Sequence, residues 1–275
     1  DRVRAISEEV MPLALATGDA GTVAQTSLFG GMVDTAEGHF AEARTRMNGA
    51  VKIYHETGMP WESAALAAAV GPVILMGDWE TARIDSERAV EIAVDCPTFD
   101  GYEKAQLLYL RTLMGDERAP GLLDEYENLL PTRGQLNGLG SWHMLTVWVE
   151  CAALMEQHAR AAPHYDLTVD LLRDKTVTTY FPLLIERIAG IAALCGDRFD
   201  LAEAHFDAAL QQAEALPFVS EQGETRRWHA LMLLRRNAPG DQGRARKLLQ
   251  EAASVYSRLG MPKHRGMTEK ILENL

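Results

Sequence analysis

The chain of 275 residues has only three cysteines, Cys96, Cys151 and Cys195, and they lie far apart. It contains no CxxC pair and no cluster of cysteine with histidine. The sequence therefore predicts neither a disulfide framework nor a zinc site, and we expect no metal or other cofactor. So few scattered cysteines are typical of a reducing compartment, which favours a cytoplasmic protein.

Long apolar stretches are missing as well. The longest runs from residue 64 to residue 76 and is interrupted by Gly71-Pro72, whereas a helix needs about 20 apolar residues to cross a bilayer. We therefore expect no membrane span and no membrane partner. The sequence begins at Asp1 rather than at a methionine, which predicts a piece of a longer polypeptide with additional domains.

Positive charge is scarce over most of the chain. It has 27 lysines and arginines against 39 acidic residues, a net charge of −12. The part before Glu224 carries −18, and the part from Glu224 onward carries +6. Because an acidic body repels phosphates, we expect no direct contact with nucleic acid. The basic end suits an acidic partner or a neighbouring domain, although solvated helix faces explain it more simply.

No segment shows the alternation of a β-strand, but a Gly-Asp pair recurs along the chain. Its copies are Gly77-Asp78, Gly115-Asp116, Gly196-Asp197 and Gly240-Asp241, with Gly38-His39 in the same phase. Successive copies are 39, 38, 81 and 44 residues apart, so the widest gap contains a degenerate copy near Gln157. Glycine closes a helix in the left-handed conformation, and aspartate caps the helix that follows. Each pair therefore predicts a tight corner between two helices.

After each of four corners come two alanines seven residues apart, which lie on one face of a helix. The pairs are Ala43 and Ala50, Ala82 and Ala89, Ala202 and Ala209, and Ala245 and Ala252. Met47, Phe206 and Leu249 stand between three of these pairs, with Ser86 as the exception. Small residues let a neighbouring helix come close, and we expect Gly31 and Gly190 to permit similar close crossings on the preceding helices.

A proline closes most units, because proline cannot continue a helix. The chain is thus predicted to be a single all-α domain over 1–275, a right-handed superhelical solenoid of about six to seven hairpins with a period near forty residues. The predicted repeats are 22–60, 61–97, 101–131, 141–173, 180–217 and 222–262, with capping helices at 3–16 and 264–274. In each hairpin we call the helix before the corner the first helix and the one after it the second. Among them we expect second helices near 39–57 and 159–173 and a first helix near 180–195.

These residues resemble the tetratricopeptide repeat family. Its second helix also carries two small residues seven apart, a large apolar residue between them and a proline afterwards. The copies around Gly115 and Gln157 lack the alanine pair, and the units are longer than the usual 34 residues. Longer units of this kind resemble the helical sensor regions of large bacterial signalling proteins, namely ATP-dependent transcriptional regulators and adenylate-cyclase-type proteins. The segments 196–206 and 259–262 carry this second resemblance.

Catalytic motifs are not found in the sequence. The Gly-rich stretch 134–140 lacks the arrangement that cradles phosphate. Ser141 and His143 lie two residues apart on a predicted helix and cannot form a nucleophile-and-base pair. His158 and His164 are six residues apart, which suits no helical metal pair. We therefore expect a protein that is not an enzyme.

In a solenoid of hairpins, the first helices line the concave wall, which we call the groove. Aromatic and arginine residues dominate binding energy when they are desolvated. The candidate groove residues are Tyr102, Tyr109, Arg111, Trp142, His143, Glu186, Arg187, Arg226 and Arg227. Trp142 with Arg187 is the preferred pair, although packing between helices explains such aromatic residues equally well.

The resemblance implies a protein-interaction or sensor module of a bacterial signalling or transcriptional regulator, which binds a protein or peptide partner in the groove. A peptide-pheromone receptor domain and a helical small-molecule-binding protein or enzyme stay open as alternatives. A homodimer stays open as well.

Overall fold

The computed structural model describes residues 2–93, 98–179 and 183–275, and within them every regular element is helical. The helices are α1 (Arg2–Thr17), α2 (Ala20–Ala36), α3 (Phe40–Thr57), α4 (Glu62–Met76), α5 (Trp79–Glu91), α6 (Tyr102–Met114), α7 (Ala119–Tyr126), α8 (Leu139–Leu154), α9 (His158–Ala161), α10 (Tyr165–Arg173), α11 (Ile185–Cys195), α12 (Phe199–Ala215), α13 (Val219–Arg236), α14 (Asp241–Leu259) and α15 (Pro262–Glu273). Two short 3-10 helices, Glu127–Leu129 and Ala162–His164, follow α7 and α9. The predicted all-α class is confirmed.

Helices that follow one another in the sequence pack against one another, and first helices also contact first helices, as in α4 with α6 and α8 with α11. The alanine pairs form the seam between them. All eight alanines named above are fully buried. A Cβ on Gly190 would lie 2.7 Å from the Phe206 ring, and one on Gly31 would lie 2.5 Å from Met47. The two glycines therefore permit the close helix crossings that the sequence predicted.

The corners follow the prediction for glycine more closely than the prediction for aspartate. Gly38, Gly77, Gly115 and Gly240 are left-handed. Only the Asp78 carboxylate caps the next helix, by accepting a hydrogen bond from the backbone N–H of Thr81, and the helices after the other three Gly-Asp pairs have different N-cap residues. At the fourth corner Asp197, with φ of 55°, takes the left-handed conformation in place of the glycine before it. A short polar side chain tolerates this region because it can hydrogen-bond locally. The degenerate copy turns on Glu156, with φ of 59°.

Two predicted helices differ in extent. The first helix expected at 180–195 begins only at Ile185, because Leu184 is extended and forms an isolated bridge with Thr178. The second helix expected at 159–173 is broken by a 3-10 segment around Pro163, which has no N–H to continue the α-helical ladder. Cys96 and Pro97, the last residue of the predicted repeat 61–97, lie outside the described residues. Tyr180, the first residue of the predicted repeat 180–217, lies outside them as well.

The end of the array returns to its beginning. α15 packs against α4, and α13 against α2. Phe40 and Leu75 share an apolar cluster with Ala252, Tyr256 and Met261. The inner faces of the central first helices are consequently covered. Within the described residues, no helix combines the length and apolar character that a bilayer crossing requires.

Candidate functional site

A chain of buried charges runs through the interior from one first helix to the next. Arg187 on α11 is 2% exposed. Its Nη1 donates to Oε1 of Glu150 at 2.6 Å, and its Nε donates to Oε2 of Glu221 at 2.8 Å. Because all three groups are buried, the two carboxylates depend on the guanidinium for compensation.

The same chain of charges continues toward the C-terminus. Glu224 accepts hydrogen bonds from Arg227 at 2.6 Å and from the Tyr256 hydroxyl at 2.5 Å. Burial disfavours the charged form of Glu224, but Arg227 and the other nearby cations outweigh it and hold its pKa at about 2. Trp228 donates to Glu150 at 2.9 Å and joins the two halves of the network.

Toward the N-terminus the buried contacts involve polar side chains and one further carboxyl group, that of Glu103. His143 is fully buried and lies within hydrogen-bond distance of Gln106, at 3.1 Å, and of the Thr179 hydroxyl, at 2.9 Å. Ser63 donates to Glu103 at 2.7 Å. These links, like those of Arg187, join residues 34 to 40 positions apart. Each therefore connects segments that are well separated in the sequence.

The candidate groove residues fall into two groups. Six are buried and have partners inside the protein: Tyr102, Tyr109, Arg111, His143, Arg187 and Arg227. The other three, Trp142, Glu186 and Arg226, are partly exposed. Apart from Tyr102, which lines a cavity described below, only the second group is within reach of a partner that docks on the folded chain. The preferred pair is thus divided, since Arg187 lies in the interior network and Trp142 reaches the surface.

Glu186 belongs to a second set of hydrogen bonds, on the outer side of α11. It lies 2.6 Å from Nδ1 of His205, whose Nε2 lies 3.0 Å from the Tyr165 hydroxyl. The Arg198 guanidinium covers the Tyr165 ring at 3.9 Å from its centre. The arrangement joins α10, α11 and α12, and its members Tyr165 and Arg198 line a shallow surface depression. No group of three metal-ligating side chains occurs within 2–93, 98–179 and 183–275.

The buried histidines make the stability of the protein depend on pH. Burial lowers the pKa of His143 to about 3 and also lowers the pKa of His264, which is fully buried. An unfolded histidine has a pKa of about 6.5, so the unfolded chain binds more protons than the folded one below that pH. The free energy of unfolding is therefore expected to fall as the pH drops from about 7 to 5, by up to about 1.4 kcal/mol per pH unit for each such histidine.

Urea unfolding at three pH values measures this slope. His143→Gln, which removes one titrating group from the interior, is expected to make the slope shallower by up to one proton. An unchanged slope in that variant would show that the pKa of His143 is the same in the folded and the unfolded chain.

A mainly apolar cavity lies elsewhere, between α2, α3, α4 and the segment that leads into α6. It encloses about 300 Å³, at the lower end of the range of about 300–1,000 Å³ for small-molecule sites. Half of its ten described lining residues are aromatic. They are Gln25, Leu28, Phe29, Tyr54, Trp61, Ala64, Ala65, Thr98, Phe99 and Tyr102. We call this cavity the aromatic pocket.

Tight backbone packing positions one wall of the aromatic pocket. The N–H of Gly140 donates to the carbonyl of Thr98 at 2.9 Å. A Cβ on Gly140 would lie 2.5 Å from the carbonyl carbon of Phe99, so only glycine lets α8 approach the 98–100 segment this closely. Trp61 forms the outer edge of the pocket and is 41% exposed.

Sequence reasoning included Tyr102 among the candidates but missed the pocket. The aromatic residues of the pocket come from four separate segments of the chain. They do not recur at a regular interval, so no periodic pattern in the sequence indicates them. No protein-family model matches the chain, and no curated protein matches it significantly. The geometry of the molecule must therefore carry any functional proposal.

Proposed function

We propose that this chain is a binding module of the tetratricopeptide-repeat type, a solenoid of six to seven hairpins that holds a protein or peptide partner. The partner inserts one side chain into the aromatic pocket. The observation that carries this proposal is the exposed edge of that pocket, where Trp61 gives access to a cavity lined by four further aromatic residues. Exposed aromatic anchors at the mouth of an apolar cavity are typical binding hot spots.

The regulatory context is part of the same proposal and rests on the resemblance of the repeats. We propose that the module serves a bacterial signalling or transcriptional regulator in the cytoplasm and carries no catalytic activity. The uneven charge supports a partner segment with basic residues, because the chain before Glu224 carries −18 and attracts positive charge.

A phage-displayed library of random peptides tests the proposal directly. Peptides selected on the wild-type chain are expected to share one large apolar or cationic side chain. They should lose about tenfold or more in affinity for Trp61→Ala. The matched control is Trp142→Ala, which removes another partly exposed tryptophan on the groove side of α8.

Fluorescence anisotropy of labelled peptides gives the two affinities. If Trp142→Ala loses binding while Trp61→Ala keeps it, the partner uses the groove and the pocket assignment is wrong. If both variants bind like the wild type, the partner site lies on neither surface.

A further inference from the structure

The walls of the aromatic pocket carry little beyond ring faces. Apart from its five aromatic residues, the described lining consists of Leu28, two alanines, Gln25 and Thr98, and none of them is charged. Aliphatic walls would bind a neutral apolar ligand equally well. Ring faces differ from aliphatic walls in one respect, since they carry negative electrostatic potential and attract cations.

The rings are also set at steep angles to one another. Tyr54 and Trp61 have centroids 5.8 Å apart and planes at 86°. Phe99 and Tyr102 have centroids 6.5 Å apart and planes at 67°. Steep angles of this kind let the rings of one lining present faces in different directions, as the rings of an aromatic cage do around a cation.

The charges beside the pocket have the complementary sign. Glu62 follows Trp61, is partly exposed, and lies 3.1 Å from Nδ1 of the His55 ring. Glu103 follows Tyr102 and is buried. The basic group on the same helix, Lys104, pairs with Asp100 at 3.7 Å. With a net charge of −12 for the whole chain, the surroundings attract a cation and oppose an anion.

Hydrogen bonding decides which kind of cation fits. A primary ammonium has three N–H donors that must be satisfied when water is removed. The described lining offers the side chains of Gln25 and Thr98 and the hydroxyls of Tyr54 and Tyr102 as polar groups, but no carboxylate to compensate three N–H donors. Methyl groups on the nitrogen remove donors and weaken hydration while the charge remains. A trimethylammonium has no N–H to satisfy, and a dimethylammonium has one, which a single side-chain oxygen can accept.

We infer that the aromatic pocket binds an alkylated ammonium group, a trimethyl- or dimethylammonium head. The group comes either from a free quaternary amine or from a methylated lysine side chain of a peptide. In the second case the inference rests on the proposed function and names the side chain that the partner inserts. The ring faces bind the cation, and Glu62 raises its local concentration.

Isothermal titration with choline and with its neutral carbon isostere, 3,3-dimethyl-1-butanol, isolates the charge. The two molecules have nearly the same shape, so choline is expected to bind about tenfold or more tightly. Trp61→Leu keeps the cavity wall apolar and is expected to remove most of this preference. Trp142→Leu, the matched control, should leave it unchanged. Circular dichroism of each variant verifies the fold.

A second arm compares a peptide that carries trimethyllysine with the same peptide carrying lysine. Preference for the methylated peptide, at affinity well above that of choline, identifies a peptide source. Binding of choline with no gain for the peptide identifies a free amine. In that case the ammonium site stands and the peptide-binding proposal fails.

Equal binding of choline and the isostere, or no binding of any methylated ammonium, overturns the inference. Library peptides that bind through Trp61 without preference for a cation would leave the proposed function standing and remove only the ammonium assignment. The two claims therefore fail by different measurements.

Discussion

Arg187→Met is expected to lower the free energy of unfolding by about 3–5 kcal/mol. The variant keeps an apolar side chain of similar length but leaves Glu150 and Glu221 as buried carboxylates without their cation. Desolvated charge is expensive, and a methionine side chain cannot donate a hydrogen bond to either carboxylate. Urea unfolding at neutral pH measures the loss, which ranks among the largest that a single substitution in this chain can produce.

Two further variants separate this cause from a simple loss of side-chain contacts. Arg88→Met removes an arginine whose pairing with Glu91 is exposed on both sides, so it is expected to cost less than about 1 kcal/mol. Arg187→Met combined with Glu150→Gln and Glu221→Gln removes the uncompensated charges and is expected to recover much of the stability. If the triple variant is no more stable than Arg187→Met, charge burial is not the cause.

Phe206→Ala is expected to cost about 3–5 kcal/mol of unfolding free energy. Phe206 is fully buried in the seam between α11 and α12, with its ring stacked on His229 at 5.8 Å. Gly190 approaches the ring so closely that the facing helix cannot collapse into the space that the substitution leaves. The cost is therefore near the upper end of the range for large-to-small changes.

Leu201→Ala is the control on the same helix, because Leu201 is 44% exposed and its removal should change stability by no more than about 0.5 kcal/mol.

Gly190→Ala tests the close crossing from the other side. It is expected to cost about 1–3 kcal/mol through overpacking, and less in a Phe206→Leu background. Additive costs would show that the two positions do not contact each other.

Local sequence patterns predicted much of the fold. The corners at Gly38, Gly77 and Gly115 depend on one residue that adopts a left-handed conformation, and that property belongs to glycine itself. The alanine pairs depend on the helical repeat of 3.6 residues, which any sequence window reveals. Helix α3, observed at Phe40–Thr57 against a predicted 39–57, shows how closely such local signals locate an element.

Arg187 shows where that reasoning ends. An arginine on a first helix is typical of a surface, and nothing near it in the sequence reveals that Glu150 and Glu221 lie beside it. They stand 37 and 34 residues away and meet it only because consecutive hairpins stack. The tertiary structure thus buries Arg187, Glu150 and Glu221 together in the interior, where the sequence gives no reason to expect them.

The sequence alone determined the helical class, the hairpin corners and the small-residue seams, because each follows from the conformational preference of one residue or from spacing along one helix. The tertiary structure decided which polar groups are buried together and where a cavity opens, because both depend on distances between segments far apart in the chain. Trp61 and Phe99 meet at one pocket through folding, and no spacing along the chain encodes that meeting.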